Sequence, residues 1–284
     1  MSKNQEVLRD VEHEVKEEAT QGIVCTDRNK MSLQGLLEYA NTVDLAEIKD
    51  VIQRQIEMNS RISQEGLDNA WGAQIGKTIL GNWGHDVRTE ACAAAAAGSD
   101  ARMSGCPLPV VINSGSGNQG ITVTMPALVY AREWKISEEK MYRALLVSNL
   151  VSIYIKHYIG ALFAFCGAVS AACGSGAAIT FMASGDYQHI GRTITNTLAN
   201  VGGIVCDGAK SSCAAKIAAS VNAALLAHYM SMSDKQFQAG EGIVEQDVEE
   251  TIKNMGYIGR VGMKSTDKEI LNVMIDKADV DSCL

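Results

Sequence analysis

Four of the eight cysteines in this 284-residue chain occur as two similar pairs. CGAVSAAC holds Cys166 and Cys173, and CDGAKSSC holds Cys206 and Cys213. Each pair is spaced by seven residues, and the pairs lie 40 residues apart. Seven residues make two helical turns, which would face both thiols of a pair the same way but set them about 10 Å apart. That is wide for two ligands of one compact cluster. One cysteine of each pair is therefore the better ligand, unless glycines break the helix between them. Cys166 precedes Gly167, and Cys206 precedes Asp207-Gly208, where a chain can turn and aim a sulfur into a cavity. Cys92 and Cys173 lie in Ala-rich runs and read as small packed hydrophobes. No CxxC occurs, which disfavours a zinc ribbon or a thioredoxin-like site.

A second cluster of chemistry-bearing residues is Gly115-Ser-Gly117-Asn-Gln-Gly120, following the apolar VVIN. Its G-x-G-x-x-G spacing matches a dinucleotide fingerprint, but that needs an immediate helix, a returning parallel strand and a distal acid. Here the loop runs into ITVTMP, which reads as β-like and stops at Pro126. The loop is expected to be either a structural turn or a nest of backbone N–H groups with Ser, Asn and Gln side chains, suited to a small carboxylate.

These residues need a scaffold. Hydrophobic residues make up 46% and charged residues 20%, which is globular rather than disordered. Aromatics are only 5% while Ala and Gly abound, so tightly packed helices around a narrow site are expected. The net charge of -8, without a basic patch, argues against nucleic acid and anionic membranes as partners. The N-terminus MSKNQEVLRDVEHEVKEEA has no apolar segment of a secretory signal, so a cytoplasmic location with reduced thiols is expected.

Tyr158 to Gly185 carries no charge and is long enough to cross a bilayer. Its Ala, Gly, Ser and Cys content reads instead as a buried central helix.

Helices are expected from Ser32 and from Asp44, where Asp44 and Glu47 fit a capping box. A strong helix former runs from Ala91 to Ala97. Short interrupted helix is expected over 65–84, and helix-like runs over 137–165, 187–201, 209–232 and 244–255, with a polar tail from Gly256. The fold class is mainly α: a single compact helical domain with Gly-rich loops over 31–284, preceded by an N-terminal appendage over 1–30.

Four stretches together resemble a known family. GSDARM (Gly98–Met103), NSGSGNQGI (Asn113–Ile121), IKHYIGALFAFCGA (Ile155–Ala168) and GIVCDGAKSSCAAKI (Gly203–Ile217) are similar to the L-cysteine desulfidases, relatives of the alpha chain of iron–sulfur L-serine dehydratases. The likeness covers roughly residues 32–260 in matching motif order. It implies a 4Fe-4S cluster on three cysteines with one iron open to substrate. It also implies breakdown of L-cysteine to pyruvate, ammonia and sulfide without pyridoxal phosphate. On the matching motifs, Cys166 and Cys206 would be two of the ligands.

Family members carry an N-terminal Gly-Cys-Thr-Glu-Pro motif for the third ligand, which this sequence lacks. The nearest match, Val24-Cys25-Thr26-Asp27-Arg28, is a poor substitute. Three possibilities stay open: a ligand from a second chain, a resident Cys213 or Cys283, or no cluster in this chain alone.

For an α,β-elimination, a base must take the Cα proton while a Lewis acid eases the leaving group off Cβ. The carboxylate is expected near Ser114, Ser116, Asn118 and Gln119, with Arg102. Lys156 and Lys210 are candidate bases, since a buried lysine can lose its charge. His85 and His157 are candidates by residue type only. A homo-oligomer acting on a small amino acid is expected. L-serine as substrate and a non-catalytic subunit needing a partner are the alternatives.

Overall fold

The computed structural model describes residues 2–3, 6–7, 27–160 and 164–276. The chain divides into two units, Met1–Lys30 and Met31–Leu284. In the first, strands β1 (Ser2–Lys3) and β2 (Glu6–Val7) pair antiparallel, and a short 3-10 turn covers Arg28–Lys30. Cys25 and Cys283 lie outside the described residues.

The second unit is helical. Its helices are α1 (Leu33–Thr42), α2 (Leu45–Asp68), α3 (Ile75–Asn82), α4 (Val87–Met103), α5 (Gly117–Glu133) and α6 (Glu138–Ile159). They continue with α7 (Gly167–Met182), α8 (Tyr187–Val201), α9 (Cys213–Met232), α10 (Val248–Tyr257) and α11 (Lys264–Met274), with a π-helical segment Ile258–Gly262 before the last. No helix among the described residues is long and apolar enough to cross a membrane. The uncharged stretch becomes the end of α6, a turn at Gly160 and the buried α7.

Helix starts follow local chemistry. Ser32 Oγ accepts from Gly35 N–H, and Asp86, Ser137, Asp186 and Asp247 cap α4, α6, α8 and α10 with their side chains. Asp44 caps α2 as expected, but its bond goes to Ala46 N–H rather than to the Glu47 N–H of a capping box.

Helices α4, α5, α7 and α9 form a closed ring, each packed against two neighbours: α4 on α5, α5 on α7, α7 on α9 and α9 on α4. Helices α2, α3, α6 and α8 pack around it, and α1 and α10 pack on that outer layer. A ring helix is covered from several sides, so small residues are needed throughout. Ala91, Cys92, Ala93, Ala95, Ala96 and Ala97 have no exposed surface at all. Cys92 and Cys173 are packed as small hydrophobes; burial pushes the Cys92 thiol up to about 12 and raises that of Cys173 as well.

The reading of ITVTMP as β-like was wrong. These residues belong to α5, in which 13 of 17 residues are buried. Helix propensities of β-branched residues fall short of alanine by well under about 1 kcal/mol each, so burial of this kind decides the outcome. Thr122 and Thr124 return their hydroxyls to the carbonyls of Asn118 and Gly120, at 2.8 and 2.6 Å. Pro126 sits inside the helix, wholly within the core. The expected run over 137–165 stops at Gly160, whose φ of 101° leaves the helix.

Candidate active site

The cysteines are not paired within single helices. Cys166 is the residue before α7, Cys173 lies inside it, Cys206 sits in the α8–α9 loop, and Cys213 opens α9. Two short stretches 40 residues apart meet as an antiparallel bridge between Phe165 and Val205. Cys166 N–H donates to the Ile204 carbonyl at 3.0 Å, and Cys206 N–H to the Ala164 carbonyl at 2.5 Å. This clasp brings Cys166 and Cys206 to one cavity, and each thiol is the strongest influence on the other's protonation.

The thiol pair shares its protons unequally. Cys206 is held down to about 6, first by the bond from the Cys166 thiol, with help from Gly208 N–H and the Lys216 ammonium, against the cost of burial. Cys166 is raised, by donating that bond and by burial, although Ala168 N–H points the other way. Lys216 is anchored by an ion pair with Asp207.

Cys166, Cys206 and Cys213 line one cavity of about 320 Å³ with Arg102, Ser114, Ser116, Asn118, Gln119 and Lys156. Three ring helices begin at this cavity. Ser116, Cys166 and Ser212 precede α5, α7 and α9, and none of the three forms a side-chain cap. Their first N–H groups and positive helix ends favour an anion.

Arg102 Nη1 donates to Asn118 Oδ1 at 3.2 Å. Gln119 is buried, and its Oε1 has no partner among the described residues. Its amide lies across Gly167, where a Cβ would come within 2.5 Å of Nε2. Lys156 is 8% exposed, and burial lowers its pKa against the opposing charges of Cys206 and Cys166. Burial thus disfavours the charged form of this lysine.

Other expected residues stand elsewhere. Lys210 is exposed and does not line the cavity; its N–H reaches Cys213 Sγ at 3.4 Å. Cys213 Sγ turns to the Gly208 carbonyl at 3.6 Å rather than joining the other two sulfurs. His85 lines a different cavity beside α2 and α4, and His157 lines neither.

The donor chemistry can be tested against a cluster. Two cysteines on one cavity, one of them with its thiol pKa lowered, suit soft metal ions. Among the described residues no three His, Cys, Asp or Glu side chains gather closely enough to hold a metal. Two of the expected ligand positions fit, and a third is not assembled.

A family model described as "Serine dehydratase alpha chain" matches residues 2–272. The chain belongs to the serine dehydratase alpha chain family. Curated relatives include a UPF0597 protein of Desulfitobacterium hafniense (strain Y51), 52% identical over 89% of this chain and 59% of its own length. Another, from Lachnoclostridium phytofermentans, is 50% identical over 88% of this chain and 60% of its own. A third, from Parabacteroides distasonis, is 38% identical over 98% of this chain and 65% of its own. The chain thus spans about 60% of the length of these relatives. No solved structure matches it.

In this alpha-chain member, three supporting residues were missed in the sequence. Asn113 Oδ1 accepts from Ser114 Oγ and Ser152 Oγ, both at 2.9 Å, and holds Ser114 at a φ of 47°. A non-glycine residue in that region costs free energy and often marks a functional turn. Asn59 grips the same segment, accepting from Val111 N–H at 2.9 Å and donating to its carbonyl at 3.2 Å. Lys216, the third, lies within α9. Asn113 and Lys216 had a signal, since they lie in the NSGSGNQGI and GIVCDGAKSSCAAKI motifs; Asn59 had none.

Proposed function

We propose that this chain is the cluster-bearing part of an iron–sulfur lyase that degrades L-cysteine to pyruvate, ammonia and sulfide. The observation that carries this reading is the backbone clasp that sets Cys166 and Cys206 on one cavity, which also holds a buried lysine and anion-binding helix starts. Membership of a lyase-type family supports the reaction class.

Cys166 and Cys206 would hold the cluster. When bound, it would supply an open iron as a Lewis acid for the group leaving Cβ. The protein does the rest. The substrate carboxylate sits on Arg102 and the N–H groups opening α5, with Ser114, Ser116 and Asn118 around it. Lys156 Nζ, whose charged form burial disfavours, takes the Cα proton. The cavity, enclosed by Phe165 and Ile217, limits water and fixes the substrate between base and sulfurs.

The third cluster ligand comes from Cys213, after a turn of the 208–213 loop, from Cys283, or from the portion of the relatives that this chain does not span. Anaerobic assay of the chain, alone and with that portion supplied, tests the reading. Sulfide and pyruvate are expected from L-cysteine, faster than pyruvate from L-serine. Iron-loaded protein that releases neither product from either amino acid would contradict it.

A further inference from the structure

Residues 113–116 form a tight reverse turn. Asn113 N–H donates to the Ser116 carbonyl at 3.1 Å, and Ser116 N–H to the Asn113 carbonyl at 3.0 Å. The two central residues, Ser114 and Gly115, have φ of 47° and 82°. Positive φ at both centres marks a type I′ turn, which favours Asn, Asp or Gly at the first of them. Ser114 stands where a glycine would be unstrained, so its surroundings must hold it there. Ser114, Gly115 and Ser116 line the cavity of the two cysteines, and α5 begins at the next residue.

The group that holds it is the Asn113 side chain, 4% exposed. Its Oδ1 accepts from Ser114 Oγ and Ser152 Oγ, and its Nδ2 donates to the Asn149 carbonyl at 3.3 Å and to Asn149 Oδ1 at 3.0 Å. A backbone carbonyl can only accept, so the Nδ2 end is settled and the oxygen faces the two hydroxyls. Asn149 Nδ2 in turn donates to Gln55 Oε1 at 2.9 Å, and Gln55 Nε2 to Thr124 Oγ1 at 2.8 Å. These bonds fasten the turn to α6, α2 and α5. A hydroxyl has one proton, and that of Ser114 goes to Asn113, which leaves none for a carboxylate.

We propose that Asn113 is a positioning residue: it keeps Ser114 in the left-handed turn, and the turn aims the unpaired N–H groups that open α5 at a bound carboxylate. Ser114 then serves through its backbone, not as the hydroxyl donor that its motif suggests. The inference rests on the amino-acid lyase reading of the cavity in taking a carboxylate as the ligand, but its test needs neither a cluster nor turnover.

Propionate, a small carboxylate without a leaving group, serves as the probe. Its affinity for the full chain is measured by ligand-observed NMR, with the folding of each variant checked by circular dichroism. Ser114→Ala and Ser114→Gly both remove the hydroxyl, but only glycine adopts a φ of 47° without help. Ser114→Gly should therefore bind propionate about fivefold or more tightly than Ser114→Ala, the size expected of the left-handed penalty on a residue with a Cβ. Asn113→Ala should lose a similar factor against wild type, and adding Ser114→Gly to it should recover most of the loss. A purely structural role would leave the affinities of the folded variants alike. Equal affinities of the two Ser114 variants, no recovery in the double variant, or no propionate binding by wild type would each overturn the proposal. If Asn113→Ala does not fold, the Ser114 pair decides it alone. Iron content and product release, measured separately, report on the lyase reading, so an active, cluster-loaded chain with equal Ser114 variants would overturn this inference alone.

Discussion

At the residue scale, the thiols differ by environment rather than by type. Cys206 accepts a bond from Cys166 and sits near Lys216, so in metal-free protein it is the thiolate of the pair. Cys92 and Cys173 are wholly buried, and their thiols are raised. Brief alkylation with iodoacetamide at pH 7 should therefore modify Cys206 well ahead of both, read by peptide mass spectrometry. The rate should fall as pH drops and Cys206 takes up its proton, at a pH below that of an ordinary thiol. Modification of Cys173 first, or a Cys206 rate flat from pH 7 to 5, would contradict this electrostatic account.

At the element scale, Gly120 of the G-x-G-x-x-G stretch and Gly167 at the start of α7 face different obstacles. A Cβ at Gly120 would stand 1.9 Å from the Val111 carbonyl oxygen, which is backbone and cannot swing away. At Gly167 the obstacle is the end of the Gln119 side chain, which can move. Gly120→Ala should thus cost roughly 3 kcal/mol, despite the better helix propensity of alanine. Gly167→Ala should cost less than about 1 kcal/mol, because a side chain yields more cheaply than backbone. Urea denaturation compares them, and equal losses would refute the distinction.

Much of this scaffold was legible. Ser32 and Asp44 announced helix starts, and the alanine run announced a helix packed on every side. Helix α5 was misread because its β-branched residues and Pro126 signal against helix locally, while burial acts through contacts with distant segments. The clasp of 164–166 with 204–206 is made of two tertiary backbone bonds, which leave no periodic mark. Sequence therefore pointed to Cys166 and Cys206, but not to how they meet.

At the scale of the whole molecule, the ring of α4, α5, α7 and α9 buries a histidine away from the site. His228 on α9 is 2% exposed, its Nδ1 is 2.9 Å from Thr180 Oγ1, and burial pushes its pKa down to about 4. The unfolded histidine takes its proton near 6.5, and the folded one only near 4. Unfolding therefore takes up a proton between those values, and stability falls as pH drops through that window, by up to about 3 kcal/mol. Above 6.5 the contribution is flat. Unfolding free energies at pH 7 and pH 4.5 should differ less in His228→Gln than in wild type; identical differences would exclude the histidine as the cause.

The same ring sets three helix starts around one cavity and holds the two-sulfur clasp at its edge. The central claim is that Cys166 and Cys206 bind one iron–sulfur centre. Anaerobic reconstitution with iron and sulfide, with the portion spanned only by the relatives supplied, measures it most directly. The account predicts bound iron and sulfide in wild type, and loss of both together with the visible absorption in Cys166→Ala and in Cys206→Ala, while Cys173→Ala keeps them. Wild-type iron content in either of the first two variants would contradict it.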